Sequence, residues 1–299
     1  MMHRNTLPAA LGIFRSVVYG TLAITTILRP YSRAAELPRE WFRPWGVMER
    51  IPAGFWDFML RADVIVAVQS VQVLLCLALM AGVRPFALFA WPCAATALVL
   101  DTMDKGFNLW VNHASMGLLY VVLLLPFFPA SDGFSVLGPS RKKRVGNPYA
   151  ACMLTLSGAI GLVYALIGIR RFVWGGIEIF TGDTILSYLA VTTLEHWHFP
   201  FEYGLLPLSS PPLAVLMKTG FFVVTVAELA TPFVLFNRSV RWIWLAIMIP
   251  FHLSTAFTMK ILFWENTVLA LMLFSTLPHV LAGGLRLPAW RQAAATASP

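Results

Sequence analysis

The stretch MDKGFNLWVNHASMG, Met103 to Gly117, sets an aspartate, a lysine, two asparagines and a histidine between two strongly apolar runs. Imidazole changes charge near neutral pH, so His113 can protonate or position a ligand oxygen, or bond to a neighbouring loop. Asn112 can hold a ligand or cap the start of the following helix, whose unpaired N–H groups favour anions. Lys105 adds an ammonium. Two further stretches gather capable side chains: 164–183, with Arg170 and Arg171, and 249–266, with His252 and Lys260. His252 and Lys260 stand eight positions apart, a little over two helical turns, and so share roughly one helix face. An ionisable group within a span costs about 2.5–3.5 kcal/mol on insertion scales and faces protein or water. His252 therefore either lines a site or makes an interhelical hydrogen bond.

Other signals point away from particular chemistries. The pair His196 and His198 has no third ligand at characteristic spacing and reads as an aromatic interfacial segment, so no metal is expected. Cys76, Cys93 and Cys152 all lie inside apolar blocks, which argues against a disulfide framework or a structural zinc site. G-x-S-x-G, H-E-x-x-H and Walker patterns are absent, which removes the corresponding hydrolase and phosphate-loop readings. Glu228 and Arg15, each within an apolar run, are expected to pair across helices.

The elements that must carry these residues follow from composition. The 299-residue chain is 58% hydrophobic and 12% charged, too little polar surface for a soluble globule. Runs of roughly 20 apolar residues, enough to cross a bilayer, appear eight times, at about 11–28, 61–82, 86–101, 111–128, 149–168, 213–236, 240–258 and 262–282. The third holds Pro92 and is expected to tilt, kink or cross only in part. The first contains Arg15 and runs into an arginine-rich loop, so it reads as a retained helix and not as a signal peptide. The expectation is an all-α polytopic bundle of about eight helices, residues 1–299 forming one membrane domain.

Charge sets the orientation. The loops near Arg84, SRKKRVG at 140–146 and NRSVR at 237–241 are basic, with Asp132 the acid among them, whereas the opposite loops mix both signs. The positive-inside rule then places both termini in the cytoplasm. The net charge of +8 is explained by topology and anionic lipid head groups, so lipids and not nucleic acid are the expected partners. All three polar stretches fall at the non-cytoplasmic end, in a cell membrane of bacterial inner-membrane type.

At these same stretches the chain resembles the horizontally transferred transmembrane domain family, whose characterised enzyme is the vitamin K-dependent gamma-glutamyl carboxylase. MDKGFNLWVNHASMGLLYVVLLLPF is similar to that family's D-K-x-x-W-N-N-H-S segment and following helix. YALIGIRRFVWGGIEI is similar to its Y-x-x-A-G-V-K-K-L-x-x-x-W-x-x-G segment, and AELATPFVLFNRSVRWIWLAIMIPFHLSTAFTMKILFW to its last helices. The resemblance implies a carboxylase-like membrane fold and a reduced quinone as cofactor. In that chemistry a lysine deprotonates the hydroquinone, whose oxidation yields the base that prepares glutamate for carbon dioxide. Here the lysine pair falls on Arg170 and Arg171, and arginine stays protonated where a buried lysine can act as a base. The family's histidine is matched at His113. No long segment corresponding to the carboxylase's lumenal region follows the last span.

These readings leave two expectations. In the first, the chain is an enzyme or enzyme-like protein with a quinone- or lipid-like ligand. His113 positions or protonates a ligand oxygen, Arg171 stabilises an anion, and Lys105, Asn112, Arg170, His252 and Lys260 complete the wall. Arg170 and Arg171 can equally anchor a helix end at the interface. In the second, it is a non-catalytic membrane subunit or accessory of a larger complex or peptide-processing system, with a membrane protein partner. A transporter is a weaker third reading, since no inverted repeat or paired broken helix is present.

Overall fold

A computed structural model describes residues 8–107, 115–138, 147–195 and 201–284. Every regular element among them is helical. The principal helices are α1 (Pro8–Leu28), α2 (Ala62–Ala81), α3 (Phe86–Gly106), α4 (Met116–Leu124), α5 (Pro148–Gly175), α6 (Thr184–Glu195), α7 (Pro211–Leu229), α8 (Arg238–Thr258), α9 (Trp264–Phe274) and α10 (Leu277–Gly284). Six of these, α1, α2, α3, α5, α7 and α8, are long and apolar enough to cross a membrane.

The boundaries have local causes. Gly82 adopts φ +74°, and the N–H groups of Gly82 and Val83 return to the carbonyls of Leu79 and Ala78, closing α2 with a left-handed cap that L side chains resist. Helix α3 runs on to Gly106 with Pro92 inside it, so Asp101, Asp104 and Lys105 stand on its last turns and not in a connecting turn. Asn237 caps α8 by accepting from the N–H groups of Ser239 and Val240 at 2.9 and 3.2 Å. The eighth apolar run is two helices. Extended backbone at Ser275 ends α9, and Pro278, which lacks an N–H, sits at the start of α10. Helix α4 gives way at Leu125–Phe127 to a short 3-10 turn that contains Pro126.

The chain divides into two compact units. The N-terminal unit comprises residues 2–107, 122–153 and 276–299. Within it α1 packs on α2 and on α10, and α2 packs on α3. At one end the buried guanidinium of Arg15 donates to the carbonyls of Ala130 at 3.0 Å, Met80 at 3.2 Å and Phe134 at 2.6 Å. Arg15 thus ties α1 to two segments with its own donors and has no role as a partner of Glu228, which the sequence suggested. Gly12 and Gly133 let the backbones meet here: a Cβ on Gly12 would lie 2.1 Å from the carbonyl oxygen of Gly133. The Arg84 guanidinium donates to Ser131 and Gly138, and the Tyr149 hydroxyl bonds Asp132, at this same end.

The opposite end of this unit joins Arg29 to Asp104 at 3.0 Å and the N–H of Arg43 to the carbonyl of Gly106 at 2.7 Å. An apolar cluster including Phe42, Trp56, Leu60, Ile65, Leu100 and Met103 covers it. Phe107 lies at this end, whereas Phe127 packs edge-on against Trp91, in the N-terminal half of α3, at 4.8 Å. Phe107 and Phe127 therefore lie toward opposite ends of the unit.

The central unit comprises residues 108–121 and 154–275. Helices α5 and α7 run antiparallel, Gly161 facing Thr231 and Gly168 facing Leu229; a Cβ on Gly168 would stand 3.0 Å from the Leu229 side chain, so the missing atom sets the approach. Helices α8 and α9 are also antiparallel, with Trp244 against Phe274 at 4.9 Å and His252 against Phe263 at 5.6 Å. Trp244 ties α8 to the turn after α7 by donating to the Thr231 hydroxyl at 3.0 Å.

Candidate functional site

Seven residues make nearly two helical turns, so Tyr164 and Arg171 project from a common face of α5. That face meets α7 and α8. Arg171 Nη1 lies 2.5 Å from Glu228 Oε2 and 3.3 Å from Thr225 Oγ1, and its Cζ stands 4.6 Å from the centre of the Phe221 ring. Phe221, Thr225 and Glu228 recur at intervals of four and three on α7, the spacing that lines one helix face. The carboxylate cancels the guanidinium charge, and the ring covers it. Removing this pair from water would be costly for either member alone; together they hold α5 to α7.

Nearly two turns earlier on the same face of α5, the Tyr164 hydroxyl and His252 Nε2 are 2.9 Å apart. His252 is 4% exposed and is flanked by the rings of Tyr164, Phe251 and Phe263. Its other nitrogen, Nδ1, is buried with no hydrogen-bond partner among the described residues. Whichever tautomer holds, one polar valence of the ring remains unspent in an apolar setting, and such groups are costly to leave unmatched. The four side chains form a polar seam: an ion pair, then a phenol, then a half-satisfied imidazole.

The other expected site residues divide as follows. Lys260 ends α8 with φ +55° and is buried. A left-handed lysine is uncommon, and here it lets the chain turn, the N–H of Ile261 reaching back to the Thr255 carbonyl at 3.2 Å. Arg170 is exposed, with its guanidinium 5.5 Å from the ring centre of Trp174, the arrangement of an interfacial anchor. Lys105 belongs to the N-terminal unit, where its ammonium is 2.9 Å from Asp101 one turn earlier on α3 and 5.5 Å from the Trp45 ring centre. That lysine is a paired, buried group. Asn112, His113, His196 and His198 lie outside the described residues.

Sequence reasoning missed Tyr164 and the true partner of Glu228. The signal for Tyr164 was available as its spacing from Arg171. The pairing of Glu228 was not, because Arg171 lay past the end of the expected fifth run while Arg15 lay inside one. No group of three or more histidine, cysteine, aspartate or glutamate side chains among the described residues is arranged to hold a metal ion.

All-helical structure with six apolar helices of spanning length defines a membrane-embedded helical protein. No family model, no curated protein and no solved structure matches the chain.

Proposed function

We propose that the protein is a polytopic membrane protein that binds an amphipathic quinone- or lipid-like ligand at the polar seam of the central unit, as the resemblance to the carboxylase-like membrane domains suggests. The observation that carries this reading is His252 Nδ1, buried and unpartnered among the described residues. A ligand oxygen supplies what that nitrogen lacks, as donor or acceptor according to tautomer, while the aromatic rings around it suit a planar or acyl body. The resemblance adds His113, outside the described residues, as the residue that would position or protonate a ligand oxygen.

The seam fits the holding of a quinone oxygen but does not fit the family's base. Arg171 stands where the lysine would be, and its charge is already engaged by Glu228. Deprotonation of a hydroquinone is therefore not assigned to this position. The same ion pair favours a second reading, a non-catalytic membrane subunit in which the former base position serves helix association and a membrane protein partner supplies any chemistry.

For topology we adopt eight crossings with both termini cytoplasmic. The placement of Phe107 and Phe127 toward opposite ends of the N-terminal unit supports a crossing between them, although α4 by itself is short. The basic loops at 84, 140–146 and 237–241 support the orientation.

The experiment is purification of the full chain in mild detergent, with mass spectrometry of extracted apolar molecules and of co-purifying proteins. A quinone or lipid retained near one per chain, lost in folded His252→Phe and reduced in His113→Ala, is the expected result. Equal retention by both variants, or no retained small molecule, refutes the ligand reading. A stoichiometric protein partner with no small molecule establishes the second one. Hydroquinone-dependent carboxylation gained by Arg171→Lys would reveal latent family chemistry.

A further inference from the structure

Among the described residues two thiols meet inside the N-terminal unit: Cys76 Sγ of α2 and Cys93 Sγ of α3 are 3.7 Å apart, 17 positions distant in sequence. Both are 0% exposed and free. Their surroundings are built around them. Gln72, one turn before Cys76, brings its amide nitrogen to 3.7 Å from Cys76 Sγ and 3.5 Å from Cys93 Sγ. The Thr96 hydroxyl, one turn after Cys93, donates to the oxygen of that amide, which fixes the N–H₂ end toward the sulfurs. The amide N–H₂ thus faces both sulfurs, a donor that offsets part of the cost of an anionic sulfur in an apolar interior.

We propose that Cys76 and Cys93 form a reversible intramolecular disulfide, oxidised by hydrogen peroxide, that staples α2 to α3. Peroxide is neutral and close to water in size, so it reaches a site closed to larger oxidants. One sulfur, deprotonated, attacks a peroxide oxygen. The O–O bond breaks, and the departing hydroxide takes up the thiol proton as water, leaving a sulfenic acid. The second sulfur attacks the sulfenic sulfur, the S–O bond breaks, and the leaving hydroxide collects the second thiol proton. Two thiols lose two electrons and two protons, and one peroxide becomes two waters. Bond formation at about 2.05 Å asks the sulfurs to approach by less than roughly 2 Å, which side-chain rotation of residues on adjacent helices supplies.

The test uses the full chain in detergent and in native membranes, treated with hydrogen peroxide, denatured, alkylated and digested. Expected are a peptide pair linked through Cys76 and Cys93, its loss on dithiothreitol, and full alkylation of Cys152. A Cys152→Ser chain forms the same link, and Gln72→Leu forms it several-fold more slowly. Cys76 and Cys93 both alkylated after peroxide, oxidised singly to sulfinic acid without a link, or linked between chains, would each overturn the proposal. An undiminished rate in Gln72→Leu would remove the role given to the amide.

Discussion

The Tyr164 hydroxyl meets His252 Nε2 at 2.9 Å across 88 positions of chain, joining α5 to α8 in the middle of an apolar unit. Tyr164→Phe leaves that nitrogen buried without a partner beside an Nδ1 that already has none among the described residues. Orphaning a buried polar group costs about 1–3 kcal/mol, whereas the mutual worth of a membrane hydrogen bond averages about 0.6 kcal/mol. The orphan cost dominates. Tyr164→Phe therefore lowers the melting temperature in detergent, and Tyr164→Phe with His252→Phe loses less than the sum of the two single changes.

Arg171 and Glu228 should behave as one unit. Breaking a buried pair from one side costs about 3–5 kcal/mol, and the 22% exposure of the Arg171 side chain reduces this to roughly half through solvent screening. Glu228→Gln destabilises by that amount. Replacing both, as Arg171→Met with Glu228→Leu, restores most of the loss in a thermal melt. Additive losses would show that the two do not interact.

Glycine substitutions should separate by position. Gly12→Ala drives a Cβ against the Gly133 carbonyl at 2.1 Å and should cost about 1–3 kcal/mol, the range for overpacking. Gly158→Ala meets nothing within 4 Å and should gain about 0.5–1 kcal/mol by reducing backbone freedom in the middle of α5. Paired melting curves read both.

Arg15 serves carbonyls of two segments, the end of α2 and residues 130–134, so Arg15→Met leaves several buried acceptors unmatched and should destabilise by about 2–4 kcal/mol. Arg15→Lys recovers only part. A compact ammonium with three donors does not span the reach of a planar fork. The check is the yield of folded chain by size exclusion, with the melting temperature of what survives.

For topology, single cysteines introduced at Gly138 and Glu40 into a chain whose native cysteines are serine should label from opposite faces of sealed vesicles. These positions lie toward opposite ends of the N-terminal unit. Labelling of both from one face would exclude a crossing between Phe107 and Phe127.

How much was legible varied with the kind of information required. Long apolar runs give helices because a span must satisfy its own backbone, a local condition that the sequence states outright. Six helices of spanning length answer to six of the eight expected runs. The fourth and eighth runs are occupied by shorter helices, Met116–Leu124 followed by a 3-10 turn, and Trp264–Phe274 followed by Leu277–Gly284. Hydropathy registers the apolar side chains there but is insensitive to an extended residue such as Ser275 or to the missing N–H of Pro278. Likewise Pro92 signalled a break that the helix absorbs.

The chain by itself determined that its polar groups are scarce and must find partners, since an isolated charge or amide in an apolar interior is too costly to persist. It could not determine which partners. Arg15 spent its donors on carbonyls, Arg171 took Glu228, and Cys76 found Cys93, because helix packing brings together faces whose separation along the chain carries no signal. Only the tertiary arrangement decided those matches, through the angle and depth at which each helix met the next.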